Sequence, residues 1–263
     1  VVAVKPETAI LLSAILFGLS KPTTATSKLF LSSSGRGCLL AAPKEVAFLN
    51  LPLSLSLYFS LSFLAALDYC NQALVKYKDE ETVWLASGYM FPLGRNEKLP
   101  STFFLPTLSC WGWCTWRRAW NKFNADASGM LRFIEENGLT SRFDLHSSYP
   151  YTEMLRLRAA DVNQSWDVCW YASFFLGNGL CLYPGISLVE NIGMDGSGTH
   201  WTGLGTLTGD ISKRRTAGWI FPEAISSDDF IQKRLEKTLK KEFYPGRIRS
   251  FLRKLKNRMS IAF

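Results

Sequence analysis

Residues 165–185, SWDVCWYASFFLGNGLCLYPG, join a helix-forming run to a strand-forming run with only a short connection between them. Ser165 is a candidate N-cap, and the bulky apolar residues that follow recur at helical spacing as far as Gly177. Residues 180–183 are then apolar and end at a Pro-Gly turn, which is typical of a short buried strand. A helix followed at once by a strand indicates a layered α/β fold.

The same alternation continues on both sides of this stretch. Helices are predicted over 68–77, 116–123, 127–137, 151–160 and 230–243, and strands over 82–87 and 189–192. The helix at 68–77 should bury Cys70, Leu74 and Tyr77 on one face. We therefore expect three regions: an atypical segment over 1–67, an α/β domain over 68–222 and a basic helical tail over 223–263.

Composition limits the classes of protein. The 263 residues are 47% hydrophobic and 20% charged, which excludes a wholly disordered chain. The six Cys form no CxxC pair, and there are only two His, which excludes a zinc site of standard spacing and a His-rich metal centre. Of these two His, His146 lies in a polar stretch and is expected at the surface.

The net charge of +8 comes from one end of the chain. Between 230 and 263 there are eleven Lys and Arg against two Glu, so the remaining residues are close to neutral. Three interpretations stay open for this tail: amphipathic helices packed on the domain, docking on an anionic membrane surface, and nucleic-acid binding. The last is not expected, because no recognition motif accompanies the charge. Asp228 and Asp229 are interpreted as helix-capping residues.

The first 67 residues differ from the rest, because they contain no Asp and only two Glu. Residues 48–67 are uncharged and long enough to span a bilayer, although Asn50, Pro52 and four Ser interrupt them. The run 53–64, LSLSLYFSLSFL, is also what a pyrimidine-rich, intron-like DNA tract would encode. The segment is therefore interpreted as mistranslated, intron-derived or membrane-associated, and no secondary structure is assigned to it.

Four Trp lie within residues 111–120, WGWCTWRRAW. The spacing of Trp113, Trp116 and Trp120 fits one face of a helix, which favours a role in the core. The alternative is a platform on which sugar or base rings stack, with Arg117 and Arg118 meeting phosphate.

A second motif is the glycine-rich stretch 182–200, LYPGISLVENIGMDGSGTH. Glycines let backbone N–H groups approach a phosphate closely, and Asp195 and His200 could complete a divalent-metal site. No Gly-Lys-Ser/Thr follows, so this is not a P-loop. A turn-rich connection is the alternative.

In this order and spacing, SGYMFP (87–92), WGWCTWRRAW (111–120) and the run 165–201 resemble family 2 glycosyltransferases of the GT-A fold. The similarity is to sugar transferases that act on bacterial cell-surface polysaccharides, and it covers 68–201, about half of the chain. It implies a partial GT-A domain, its acceptor-side half, at the cytoplasmic face of a membrane or in the cytoplasm.

The resemblance also implies an inverting transfer from a nucleotide-sugar to a glycan or lipid-linked acceptor, with Mn²⁺ or Mg²⁺ bridging the diphosphate. It implies that Asp167 or Asp161 is the base and that His200 binds the metal. The residues implied in donor binding are Gly193, Asp195, Gly196, Gly198 and Arg117. Those implied in the sugar pocket are Trp111, Gly112, Trp113, Trp116 and Trp166. Either Asp could instead be a helix-terminal charge.

Two departures from the family affect the expected activity. Its metal-binding DxD-type motif lies just upstream of the segment matching 67–74, where this chain has SLYFSLSFLAA, without a carboxylate. The residue before Ser165 is commonly acidic in the family and is Gln164 here. We therefore expect impaired transfer; the alternative is a non-catalytic degenerate fragment or a membrane-associated binding protein.

Overall fold

The structure is a computed structural model that describes residues 53–93, 99–189 and 218–244, with only the backbone described over 53–63. Within these ranges the chain forms seven helices and four strands. In chain order they are α1 (Leu53–Lys76), β1 (Val83–Ser87), β2 (Thr102–Leu105), β3 (Trp113–Thr115), α2 (Arg117–Trp120), α3 (Ala127–Glu136), α4 (Thr140–Phe143), α5 (Tyr151–Ala159), α6 (Asp167–Leu176), β4 (Leu180–Pro184) and α7 (Asp229–Phe243).

The four strands form one mixed sheet in the order β2-β4-β1-β3. The central strands β1 and β4 are parallel, with Ala86 opposite Leu182. The edge strands β2 and β3 each run antiparallel to their neighbour. The connection from β1 to β4 passes through helices, as a parallel pair requires. This mixed sheet with its helices confirms the predicted α/β fold class.

The sheet separates two apolar clusters, because successive strand residues point to opposite faces. On one face, the main core holds Leu105 and Tyr183 with residues of α3, α5, α6 and α7. On the other, the second core holds Phe104 and Leu182 with α1. Helices therefore cover both faces of the sheet.

The helix α6 is buried along most of its length and leads straight into β4. A Cβ at Gly177 would lie 2.3 Å from the Trp84 ring, so this connection needs glycine to approach β1 so closely. The cap prediction is wrong: the N-cap of α6 is Trp166, and no side chain caps the helix. The Ser165 hydroxyl instead donates to the Asp167 carboxylate.

The helix α1 confirms the prediction for 68–77 and extends it toward the N-terminus. Cys70, Leu74 and Tyr77 are buried, as expected. The backbone is already helical from Leu53, in the segment to which no structure was assigned. Among the residues that the structure describes, no helix is both long enough and apolar enough to cross a membrane.

The helix α7 confirms the prediction for 230–243. It buries Ile231, Leu235 and Leu239 in the main core. The Asp228 carboxylate accepts a hydrogen bond from the Ile231 N–H at 3.0 Å, so Asp228 caps the helix as expected. This part of the tail is thus an amphipathic helix packed on the domain.

The predicted bounds of two other elements differ from those in the structure. The helix expected over 116–123 spans only Arg117–Trp120. Val189 belongs to no strand, and the rest of the predicted strand 189–192 lies outside the described residues. The predictions at 127–137 and 151–160 agree with α3 and α5.

Candidate functional site

The candidate site lies at the carboxyl edge of the sheet, which is the side where the parallel strands β1 and β4 end. The helix α6 leads through a short connection into β4 and therefore runs antiparallel to it, which brings the N-terminus of α6 back to this edge. Ser87 at the end of β1 pairs with Trp113, so Trp111 and Gly112 also lie beyond this end of β1. Ligands of open α/β sheets commonly bind at this edge.

Three loops are joined here by backbone hydrogen bonds. The Gly88 N–H donates to the Gly112 carbonyl at 2.8 Å, and the Leu188 N–H donates to the Gly88 carbonyl at 2.8 Å. Gly112 has φ +58°, and a Cβ there would lie 2.6 Å from Val189 Cγ1. Gly112 is therefore required both for its conformation and for its lack of a side chain. Trp166 packs on the main-core side of this end of the sheet and Trp111 on the second-core side. We name Trp111, Gly112, Trp166 and Asp167, which all lie at this end, the sheet-edge site.

Two of the predicted tryptophans reach the surface at this site. Trp166 is 38% exposed, and its ring stacks at 6.0 Å on Trp113. Trp111 is partly exposed and meets the edge of Tyr89 at 4.5 Å between ring centroids. Each ring is thus held in place by a buried aromatic neighbour, while part of it is open to a ligand.

The other two predicted tryptophans are interior. Trp113 is fully buried in the main core, and Trp116 is buried in the second core, where its Nε1–H donates to the Leu74 carbonyl at 3.1 Å. Neither ring presents a face to a sugar. A core role is confirmed, but the helical reason for it is wrong, because Trp113 lies in β3 and Trp116 only precedes α2.

The two neighbouring arginines differ in their environment. Arg118 donates to the carbonyls of Tyr77, Lys78 and Val83 at 2.8–3.0 Å, and its guanidinium stacks on the Trp116 ring at 4.7 Å. The phosphate interpretation is therefore wrong for Arg118. Arg117 is exposed, and its predicted contact with the donor stays a prediction.

Asp167 belongs to the sheet-edge site. It is half-buried in the first turn of α6. Its Oδ1 accepts hydrogen bonds from the Ser165 hydroxyl and from the Val168 N–H, the latter at 2.9 Å. The carboxylate is thus oriented through Oδ1, and no described residue donates to its Oδ2.

Asp161 has a different role. It follows the C-terminus of α5 with φ +55°, and its side chain is 78% exposed. Its Oδ1 accepts hydrogen bonds from Arg158 at 3.2 Å and from the Gln164 amide at 2.7 Å. These contacts are those of a residue that ends a helix. Of the two predicted bases, Asp167 is the better placed.

The charge of Asp167 helps to raise the pKa of two side chains, Tyr149 and Cys110, that the sequence did not connect with it. Burial, and then the Asp167 charge, raise the pKa of Tyr149 to about 12. The same two causes, in this order, raise the pKa of the Cys110 thiol. Cys110 adjoins the Trp-rich run and could have been noticed there; no local signal marks Tyr149, which comes from the loop before α5.

Among the described residues, no group of three or more His, Cys, Asp and Glu side chains could hold a metal ion. The predicted donor and metal residues Gly193, Asp195, Gly196, Gly198 and His200 lie outside the described residues. The described residues therefore do not provide a metal site. His146 is at the surface, as expected, and its Nδ1 lies 2.9 Å from Glu236 Oε1.

No protein-family model, no curated protein and no solved structure matches the chain. The resemblance to family 2 glycosyltransferases therefore stays a prediction from the motifs.

Proposed function

We propose that this chain is a glycosyltransferase-like protein of family 2, with a partial GT-A domain whose described residues form the acceptor side. It binds a glycan or a lipid-linked sugar at the sheet-edge site, and its transfer from a nucleotide-sugar is impaired. The observation that carries the proposal is the position of Asp167, half-buried beside the exposed Trp166 ring at the carboxyl edge of β1 and β4.

The chemistry of this surface suits a sugar. The apolar face of a pyranose stacks on an aromatic ring, and the Trp166 and Trp111 rings are both partly open and rigidly supported. A carboxylate with one free oxygen accepts a hydrogen bond from a sugar hydroxyl. In this proposal, Asp167 Oδ2 orients an acceptor hydroxyl of the sugar that stacks on the neighbouring Trp166 ring.

In an intact transferase, the same contact would serve catalysis. The carboxylate takes the proton of the acceptor hydroxyl while its oxygen attacks the anomeric carbon of the donor. The bond from that carbon to the nucleoside diphosphate breaks, and the diphosphate leaves with the electron pair. The described residues supply the base and the acceptor platform for this step, and they do not supply an anchor for the diphosphate.

The impairment follows from the residues upstream of Asp68. The stretch 53–67 contains no carboxylate, although the family resemblance places the donor-site acids there. Its backbone forms the first part of α1. Without those acids, the diphosphate and its cation lose their main anchor, so acceptor binding is retained and transfer is lost.

The test has two parts, both made on the full chain. In the first, a panel of methyl hexosides is examined by saturation-transfer NMR with wild type, Trp166→Ala and Asp167→Asn. Binding is expected with wild type and is expected to fall at least tenfold in each variant. Phe133→Ala is the matched control, because Phe133 is an exposed aromatic residue on α3 and does not belong to the sheet-edge site.

In the second part, nucleotide-sugars are incubated with the chain and Mn²⁺ or Mg²⁺, and released nucleoside diphosphate is measured. No release above the protein-free control is expected. Turnover of any nucleotide-sugar would contradict the impairment. Sugar binding that is absent, or that Phe133→Ala weakens as much as Trp166→Ala, would contradict the acceptor site.

A further inference from the structure

The helix α7 has a second face that the fold does not use. At about 100° per residue, Phe230, Lys233, Lys237, Lys240 and Lys241 fall within an arc of about 100°. The residues that α7 buries, Ile231, Leu235 and Leu239, lie on the opposite side of the helix. All five residues of the first set are exposed. We name this set the α7 basic face.

The charges of this face are not neutralised by the described part of the protein. None of the four lysines forms an ion pair with a described carboxylate. Of the acidic residues of α7, Glu236 is mostly buried and contacts His146 and Gln232, and Glu242 is half-buried. Asp229 is exposed, at the first turn.

Aromatic residues lie at both ends of the basic face. Phe230 is 66% exposed at the N-terminal end, and Tyr244 is about half exposed at the C-cap. Amphipathic surfaces that bind membranes combine lysines, which attract anionic headgroups, with aromatic side chains that enter the interface. Nucleic-acid surfaces also carry lysines, but the described residues contain no nucleic-acid recognition motif.

We infer that the α7 basic face docks this protein on an anionic lipid bilayer, with α7 parallel to the membrane plane. This inference goes beyond the proposed sugar binding and does not depend on it. The opposite face of α7 is packed on the main core, and Phe243 at its C-terminal end contacts Tyr149 at 4.4 Å between ring centroids. Docking through α7 therefore holds the whole domain at the lipid surface.

The test is co-sedimentation of the full chain with vesicles of phosphatidylcholine alone and with about 30% phosphatidylserine. Binding is expected only to the anionic vesicles and should weaken as salt is raised. The triple variant K233Q/K237Q/K240Q should bind on the order of 100-fold more weakly, since each lysine contributes about fivefold at a membrane surface. Phe230→Ser should weaken binding to the anionic vesicles at every salt concentration.

The matched control is K78Q/K122Q/R132Q, which removes the same charge from exposed positions outside α7. Circular dichroism establishes that both triple variants are folded. Equal losses in the two variants, or full binding by the α7 variant, would overturn the inference, because the charge of the chain as a whole would then suffice. Binding of single-stranded RNA without binding of anionic vesicles would also overturn it.

Measuring sugar binding by the same variants distinguishes a failure of this inference from a failure of the proposed function. The α7 variant is expected to bind methyl hexosides as wild type does, while Trp166→Ala binds anionic vesicles normally. Loss of vesicle binding alone in the α7 variant supports the inference even where no sugar binds.

Discussion

Single residues determine how the loops at the sheet-edge site fit together. Gly112 and Gly138 both have φ near +60°, but their surroundings differ. Gly112 is enclosed by Val189, whereas nothing lies within 4 Å of a Cβ at Gly138. Alanine variants at these two positions therefore separate the energetic cost of the left-handed backbone from the cost of a steric clash with Val189.

Gly138→Ala should lower the free energy of unfolding by about 1 kcal/mol, from the left-handed conformation alone. Gly112→Ala carries the same conformational term and a clash with Val189, so it should lower the free energy of unfolding by at least about 2 kcal/mol. Urea unfolding of the two variants measures the difference. Equal losses would show that Val189 does not enclose Gly112.

Arg117 and Arg118 provide a second contrast between adjacent residues. Arg118→Gln should lower the free energy of unfolding by about 2 kcal/mol, because three carbonyls lose a charged donor. Arg117→Gln should change it by less than about 0.5 kcal/mol, because Arg117 is exposed. Thermal and urea unfolding of both variants test this. A larger loss for Arg117→Gln would contradict the assignment of Arg118 as the structural residue.

At the scale of elements, α7 is the part of the basic tail that the structure describes, and its apolar face is what attaches it. Leu235 is fully buried in the main core. Leu235→Ala should lower the free energy of unfolding by about 3 kcal/mol, through lost burial and the cavity left behind.

Lys237→Ala is the control for this variant, because Lys237 lies on the exposed face of the same helix. It should change the free energy of unfolding by less than about 0.5 kcal/mol. Both variants are compared by urea unfolding. Similar values for Leu235→Ala and Lys237→Ala would mean that α7 is not packed on the core.

Long periodic elements could be predicted from the sequence. The apolar spacing of α3, α5, α6 and α7 and the apolar run of β4 were sufficient, because each buries one face or is buried throughout. The three-residue strand β3 was missed, since its Trp113 also fits a helical period with Trp116 and Trp120. The four-residue strand β2 was missed as well, because it is too short to show a pattern.

The candidate site was predictable only in part. Trp111, Trp166 and Asp167 came from the family resemblance, and the structure places them at one edge of the sheet. Tyr149, whose pKa burial and the Asp167 charge raise, could not be found in this way, because it lies in a separate loop and has no motif of its own. The core role favoured for Trp113 and Trp116 is confirmed, but the strand that buries Trp113 was not visible in the sequence.

At the scale of the whole molecule, the density of buried tyrosines makes stability sensitive to alkali. Burial raises the pKa of Tyr69, Tyr151 and Tyr183 well above the ordinary value of 10.0. The unfolded chain ionises its tyrosines near that ordinary value, while the folded chain cannot. The unfolded state therefore binds fewer protons above pH 10, and stability falls as the pH rises.

Each such tyrosine should remove up to about 1.4 kcal/mol per pH unit above its ordinary pKa, until its folded pKa is reached. For Tyr149 that window runs from 10.0 to about 12. Tyrosinate absorbance and circular dichroism should therefore change together in one steep alkaline transition. Gradual ionisation near pH 10 with the fold intact would contradict the burial of these rings.

The proposed function rests on sugar binding by two tryptophans out of nine. The most direct measurement is ¹⁹F NMR of the chain labelled with 5-fluorotryptophan, with each resonance assigned by a Trp→Phe variant, during titration with the best-binding methyl hexoside. The resonances of Trp111 and Trp166 should shift with a common dissociation constant, while those of the buried Trp113 and Trp170 stay in place. No shift at Trp111 and Trp166, or shifts confined to other tryptophans, would contradict the sheet-edge site.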